Sequence, residues 1–138
     1  MLKKLIAIDY GKKRIGLASG QTITKTANPL KAISAKNGEP NWADLDSTIK
    51  QWKPTDIVLG LPIDAKGEHT EITKIVLDFY EQLKARYSGI DTHLINEAYT
   101  TREARWQLEA TKGKNVNHIK VDSLAACVIL ESWMENNT

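Results

Sequence analysis

The chain has 138 residues, of which 41% are hydrophobic and 26% are charged. This composition is typical of a globular protein and excludes a disordered or low-complexity chain, and the length predicts a single domain over residues 1–138. The 19 Lys and Arg outnumber the 17 Asp and Glu by only two, so the net charge of +2 does not by itself indicate a nucleic-acid-binding protein.

The first part of the chain has the pattern of three short strands. The apolar run at residues 5–8 predicts a strand covered on both faces, and residues 15–18 predict a second strand that ends at Gly20. The Thr-rich residues 23–30 predict a third strand, closed by Asn28-Pro29. Short turns between them favour an antiparallel meander, and we expect residues 34–40 to form a flexible loop.

The rest of the chain alternates between helical and strand patterns. Apolar residues at helical spacing predict helices over residues 42–52, 72–83 and 121–128, and strands are predicted at residues 57–61 and 92–97. Thr100 and Glu103 have capping-box spacing, which predicts the start of a further helix. The order β-β-β-α-β-α-β-α-α predicts an α/β fold with a mixed sheet flanked by helices.

Three carboxylates occupy positions where chemistry is expected. Asp9 and Glu97 each follow an apolar strand, and Asp122 lies near the start of an apolar helix. Each has a simpler explanation. Asp9 would cap the Gly11 turn, Glu97 would interact with the start of the next helix, and Asp122 would interact favourably with the dipole of its own helix. Ligand sites in open α/β sheets lie where strands end, so the three can converge there. Three oxygen donors favour Mg²⁺ or Mn²⁺, and two such ions can promote phosphodiester hydrolysis.

Basic residues lie beside each acid in the sequence and are candidates to hold phosphates: Lys12, Arg14, Arg102 and Lys120. Each alone is more typical of a solvated surface charge. The loop from Gly60 to Glu68 could bring backbone amides to a phosphate, although a structural turn is the simpler interpretation. The three histidines lack metal-ligand spacing, and Cys127 lies among apolar residues that predict a buried thiol.

The same residues occur in motifs of a known family. Residues 8–18, residues 58–62, Glu97 with Thr100-Thr101, and Lys120-Val121-Asp122-Ser123 resemble, in this order, the motifs of the YqgF/RuvX family of Holliday-junction-resolvase-like, pre-16S rRNA nucleases. The resemblance implies an RNase H-like fold with a five-stranded mixed sheet, and it implies that Asp9, Glu97 and Asp122 form the acidic triad. The implied activity is metal-dependent phosphodiester hydrolysis in 5′-end maturation of 16S rRNA in the bacterial cytoplasm.

Some positions depart from the family pattern. Asn96-Glu97-Ala98 stands where the family often has Asp-Glu-Arg, and His118-Ile119 stands where a Lys-Gly pair is common. Asp64-Ala65-Lys66 replaces a more usual Asn-Met-Asp. The triad is retained, but fewer cations flank Glu97 and Asp122 to hold a substrate.

We therefore expect a cytoplasmic, Mg²⁺- or Mn²⁺-dependent nuclease acting on RNA, namely pre-16S rRNA or a pre-ribosomal particle, as a monomer or homodimer without a membrane partner. One alternative is a Holliday junction resolvase acting on branched DNA, which normally requires a dimer. Another is a non-catalytic RNA-binding factor in ribosome assembly. The Asp9-x-Gly11 pattern also resembles a phosphate loop of two-domain ATPases, for which 138 residues are too few.

Overall fold

The computed structural model describes residues 2–64, 66–96 and 118–137, and for residues 118–122 the description is of the backbone alone. Several predictions fall outside these residues. They are Glu97, the helix expected to begin at Thr100, and Arg102.

The described residues form a mixed sheet with helices on both faces. Its strands are β1 (Lys4–Asp9), β2 (Arg14–Gln21), β3 (Thr26–Lys36), β4 (Glu39–Pro40), β5 (Asp56–Leu61) and β6 (Asp91–Asn96), in the spatial order β4-β3-β2-β1-β5-β6. The strands β1, β2, β3 and β4 are antiparallel neighbours, whereas β5 is parallel to β1 and β6 is parallel to β5. The predicted meander and mixed sheet are confirmed, with one additional strand of two residues, β4.

The third and fourth strands differ most from the sequence-based prediction. Pro29 does not close β3 but lies inside it, paired with Ala18. Proline is tolerated there because β4 pairs only with the far end of β3, at Ala35 and Lys36, so the missing N–H falls on an open strand edge within the described residues. The expected flexible loop is a hairpin, since Asn37 and Gly38 have φ values of 54° and 82°, as a tight turn requires.

Three helices are described: α1 (Trp42–Trp52), α2 (Glu71–Arg86) and α3 (His118–Asn137). Asn41 caps α1 by accepting the Asp44 N–H, and Thr70 and Thr73 form a reciprocal capping pair at the start of α2. These caps explain why the predicted helices begin where they do. None of the described helices is both long and apolar enough to cross a bilayer.

The two faces of the sheet are covered by different helices. Ile6 and Ile8 of β1 pack with Leu45 of α1 and Phe79 of α2, whereas Leu5 and Ala7 pack against α3. This alternation follows from the two-residue period of a strand and explains why β1 reads as a continuous apolar run. Strand β1 is therefore buried on both faces, and its last residue is Asp9, the first of the three predicted site carboxylates.

Helix α3 begins earlier than predicted. It starts at His118, so Asp122 is not in its first turn, where no acidic residue lies. The favourable effect of the helix dipole falls off within the first turn, so the simpler explanation for Asp122 loses its basis. The prediction that this helix is largely buried is confirmed for its described side chains, including Ala126, Ile129 and Leu130.

Candidate active site

The carboxyl ends of three parallel strands meet at one edge of the sheet. Strand β1 ends at Asp9, β5 at Leu61 and β6 at Asn96, with Ile8 in register with Leu59 and Leu61 in register with Asn96. In α/β sheets this edge is where ligands bind, because the connections that follow the strands can surround a crevice there. We call it the carboxyl edge.

Asp9 lies on the α3 side of the carboxyl edge. Leu5 and Ala7 pack in the cluster that includes α3. Because side chains alternate between the two faces along a strand, Asp9, two residues after Ala7, lies on the same face. It is half-buried and pairs across the strands with Gly16 of β2. A carboxylate in this position is partly withdrawn from water, which increases its attraction to a cation.

Contacts along α3 establish which end of that helix reaches the carboxyl edge. The Ser123 hydroxyl bonds to the backbone of Leu17, which pairs with Ile8 next to Asp9. Farther along the helix, a methyl group on Gly20 would lie 2.8 Å from Leu130 Cδ2. Gly20 pairs with Leu5 at the other end of β1. The start of α3 therefore lies at the carboxyl edge, on the same face of the sheet as Asp9.

Ser123 holds that end of the helix in place. Its Oγ donates to the Leu30 carbonyl at 2.6 Å and accepts the Leu17 N–H at 3.2 Å, and the residue is fully buried. The pairing of β2 with β3 shifts register between Ile15 and Leu17, so the hydroxyl bonds to both strands beside this irregularity. The family motif at residues 120–123 includes Ser123, but the sequence does not predict a functional role for it.

The structure relates some of the predicted site residues and leaves others undescribed. Asp122 directly precedes Ser123, and Lys120 lies in the first turn of α3, so both belong to the end of the helix beside Asp9. Lys12 in the β1–β2 turn and Arg14 at the start of β2 are exposed at the same edge. Glu97 directly follows β6 but, like Arg102, is outside the described residues.

The loop after β5 is a structural turn. Asp64 Oδ1 accepts the backbone N–H of Lys66 at 2.9 Å and that of Glu68 at 2.8 Å. Gly67 completes the turn with φ at 78° and donates to the Asp64 carbonyl. The Asp64 carboxylate thus already binds the amides of Lys66 and Glu68, which favours the simpler interpretation of this loop as a structural turn.

Two softer metal ligands, His93 and Cys127, lie away from the carboxyl edge. His93 Nε2 is 2.7 Å from Oδ2 of buried Asp56, at the opposite edge, where β5 begins. Cys127 is buried as predicted, and burial followed by the charge of Glu131 raises the pKa of its thiol to about 12. Among the described residues, no three His, Cys, Asp or Glu side chains gather into a metal-binding group. Asp9 is thus an oxygen donor on the α3 face of this edge, and carboxylate oxygens suit a hard cation.

Sequence comparisons find relatives that match nearly the whole chain. Residues 3–136 match the sequence profile of the RuvX family, described as Holliday junction resolvase. A protein of Francisella philomiragia, named "Putative pre-16S rRNA nuclease", is 61% identical over 137 residues, which cover 99% of this chain and 100% of the relative. A protein of the same name from Francisella tularensis subsp. novicida is 59% identical over the same shares of both chains.

Solved structures resemble the fold at much lower sequence identity. RuvC of Thermus thermophilus in complex with a Holliday junction substrate superposes with a TM-score of 0.57 at 13% identity, over 98% of this chain and 96% of that one. The fowlpox virus resolvase bound to junction DNA gives a TM-score of 0.51 at 13% identity, over 96% and 97% of the two chains. The expected RNase H-like fold is confirmed by these likenesses. The chain therefore belongs to the RuvX family of nucleases, which places it among the hydrolases that act on phosphodiester bonds.

Proposed function

We propose that this protein is a metal-dependent nuclease whose centre is the carboxyl edge and whose substrate is precursor 16S rRNA. The observation that carries the proposal is the attachment of α3 to the sheet through Ser123, next to the pair formed by Ile8 and Leu17. This attachment brings the segment containing Asp122 to the end of the strand that carries Asp9. Two acids distant in sequence thus belong to one edge.

Asp9, Glu97 and Asp122 are the residues that we expect to hold Mg²⁺ or Mn²⁺. The half-buried position of Asp9 and the all-oxygen donor set fit a hard divalent cation. Such an ion, when bound, supplies Lewis acidity that polarises a scissile phosphate and acidifies a nearby water. The protein's own contribution is to fix the carboxylates on a rigid strand and a buried helix, so that little reorganisation accompanies binding.

Cations around the carboxyl edge would hold the backbone of the nucleic acid. Lys12 and Arg14 are exposed beside Asp9, and Lys120 belongs to the first turn of α3. With Arg102, they form the predicted phosphate-binding set, which positions a strand without reading its sequence. Fewer cations flank Glu97 and Asp122 than in the usual family pattern. We therefore expect this protein to bind substrate more weakly than a relative that has the full pattern.

RNA is the proposed substrate because relatives about 60% identical over the full chain carry the name of pre-16S rRNA nucleases. Maturation of 16S rRNA in bacteria takes place in the cytoplasm, which is the location that we propose. The protein would act there on free precursor RNA or on a pre-ribosomal particle.

Replacement of Asp9 by Asn tests the proposal. The substitution keeps the shape of the side chain but removes its charge, and we expect cleavage of a precursor 16S rRNA fragment with Mn²⁺ to fall about a hundredfold or more, equivalent to ~3 kcal/mol of lost transition-state stabilisation. The matched control is Asp91→Asn, which removes an exposed carboxylate at the opposite edge. Equal cleavage by wild type and Asp9→Asn would rule out the proposed role.

Branched DNA is the second candidate substrate, favoured by the likeness of the fold to resolvases solved with junction DNA. A side-by-side assay of a four-way junction and precursor rRNA separates the two activities. Preferential junction cleavage by a dimer would favour the resolvase. Mn²⁺-independent binding to pre-ribosomal particles without cleavage of either substrate would favour a non-catalytic assembly factor.

A further inference from the structure

A groove of about 330 Å³ opens at the carboxyl edge on the face opposite to α3. Its walls come from the β1–β2 turn, the hairpin between β3 and β4, and the middle of α2. Tyr10 and Lys12 supply the first wall, and Tyr10 packs against the core cluster on the side of α1 and α2. Because Asp9 and Tyr10 are consecutive, the groove and the proposed catalytic edge share one segment of backbone.

The ring of Tyr10 is held in a fixed position on the groove wall. It lies 5.2 Å from the ring of buried Phe79, centroid to centroid, at a tilt of 46°. Its hydroxyl donates to the Gly38 carbonyl at 2.6 Å, which ties the β1–β2 turn to the hairpin. A partly exposed aromatic ring fixed in this way presents a surface against which a nucleobase packs at little entropic cost.

The charges in the groove favour a base over a phosphate. Glu39 and Asp78 line it as exposed carboxylates, and Gln82 Nε2 donates to Asp78 Oδ2 at 2.8 Å. Two carboxylates repel a phosphate but accept hydrogen bonds from the amino groups of bases. Among the described residues of the lining the cation is Lys12, which also belongs to the proposed phosphate-binding set.

The dimensions agree with one nucleotide. Ligand pockets of roughly 300 Å³ enclose a small ring system with few polar contacts, and proteins that recognise single-stranded RNA commonly turn a base out into such a site. Since β1 residues alternate between faces, a strand whose phosphate lies over Asp9 has only to cross the sheet edge to place a neighbouring base beside Tyr10.

We propose that this groove is a subsite for one unstacked nucleobase that flanks the cleavage position, and that Glu39 and Asp78 select a base with an exocyclic amino group. The subsite rests on the proposed nuclease function for its position in the substrate. Its recognition chemistry depends only on the described residues of the groove.

Binding of two matched oligonucleotides tests the subsite. The two oligonucleotides are labelled single-stranded hexauridylate and the same hexamer with one uridine replaced by cytidine. At position 4 of that base, uracil has a carbonyl oxygen and cytosine has an exocyclic amino group. In metal-free buffer we expect wild type to bind the cytidine-containing hexamer about tenfold more tightly by fluorescence anisotropy. The Glu39→Ala/Asp78→Ala variant is expected to bind the two hexamers equally.

The control variant is Glu81→Ala/Glu135→Ala. It removes the same charge from exposed positions outside the groove and is expected to retain the tenfold preference. Circular dichroism would verify that both variants are folded. Equal affinity of wild type for the two hexamers, binding of neither, or retention of the preference by Glu39→Ala/Asp78→Ala would overturn the subsite.

The subsite and the nuclease proposal can fail separately. Loss of cleavage in Asp9→Asn without any cytidine preference would leave the nuclease standing and remove the subsite. A cytidine preference that depends on Glu39 and Asp78, in a protein that cleaves neither RNA nor DNA, would leave a base-binding site on a non-catalytic RNA-binding protein.

Discussion

Ser123 connects the helix that carries Asp122 to the two strands beside Asp9 through one buried hydroxyl. The Leu17 N–H and the Leu30 carbonyl both use this hydroxyl as a partner. Buried backbone groups that lose their partner retain the full cost of desolvation. Ser123 therefore matters both for stability and for the position of α3 at the carboxyl edge.

Replacement of Ser123 by Ala should lower the free energy of unfolding by ~1–3 kcal/mol, because it leaves a buried N–H and a buried carbonyl without their partner. Urea denaturation measures the change. Exposed Ser88→Ala is the control, with an expected change within ~0.5 kcal/mol. If the two variants unfold at the same urea concentration, the hydroxyl does not have the role assigned to it.

The sequence predicts Asp9 well and Ser123 poorly, for a physical reason. An ionisable residue at the end of an apolar strand is unusual in itself, so Asp9 is conspicuous without a structure. A serine in a helix is ordinary. The role of Ser123 arises from a register shift between two strands about a hundred residues earlier, and no local pattern reports such a long-range contact.

Helices α1 and α2 are joined by a polar network at the surface. Arg86 contacts both oxygens of Asp46, the Tyr87 hydroxyl donates to Asp46 Oδ1 at 2.6 Å, and the guanidinium lies 4.8 Å from the ring centre of Trp42. The hydrogen bond from Arg86, followed by that from Tyr87, lowers the pKa of Asp46 to about 2. The network fixes the two helices that cover the groove side of the sheet.

Acid should remove the contribution of this network. The pKa of Asp46 is lower in the folded protein than its ordinary value of about 3.9, so its stabilising effect is complete above that value and is lost as the pH falls through about 2. We expect Asp46→Asn to lower the urea midpoint modestly at pH 7, because both partners are half-exposed. The difference from wild type should shrink towards pH 2, and a difference that is independent of pH would contradict the assignment.

The sequence predicts the ends of helices well where capping residues mark them. It predicts strands poorly where their existence depends on pairing with a distant or very short strand. Pro54 and the left-handed Lys53 end α1 where the sequence indicates. The Asn37-Gly38 dipeptide is typical of a hairpin turn, but the sequence does not predict β4, because this strand has only two residues and no apolar alternation. The sequence therefore predicts five strands, whereas the described part of the chain has six.

The net charge of +2 describes the whole molecule but conceals how charge is arranged. Lys12 and Lys13 in the turn after Asp9 and Arg14 at the start of β2 are all exposed, while carboxylates line the neighbouring groove. Affinity for nucleic acid should therefore be local and modest, with few phosphates neutralised.

Salt dependence measures this local affinity. Replacement of Lys12 by Ala should weaken binding of single-stranded RNA and reduce the slope of log K against log salt concentration by about 0.7, the value for one lost phosphate contact. Lys50→Ala, at an exposed position in the last turn of α1, is the control and should leave the slope unchanged. An identical slope for wild type and Lys12→Ala would show that Lys12 does not contact a phosphate.

We propose that Asp9, Glu97 and Asp122 share a divalent cation at the carboxyl edge. A crystal structure of the protein soaked in Mn²⁺ tests it most directly, because anomalous scattering locates the ion independently of activity. We predict an anomalous peak coordinated by carboxylate oxygens of all three residues. Three carboxylates too far apart to contact one ion or an adjacent pair, with no peak beside Asp9, would contradict the claim.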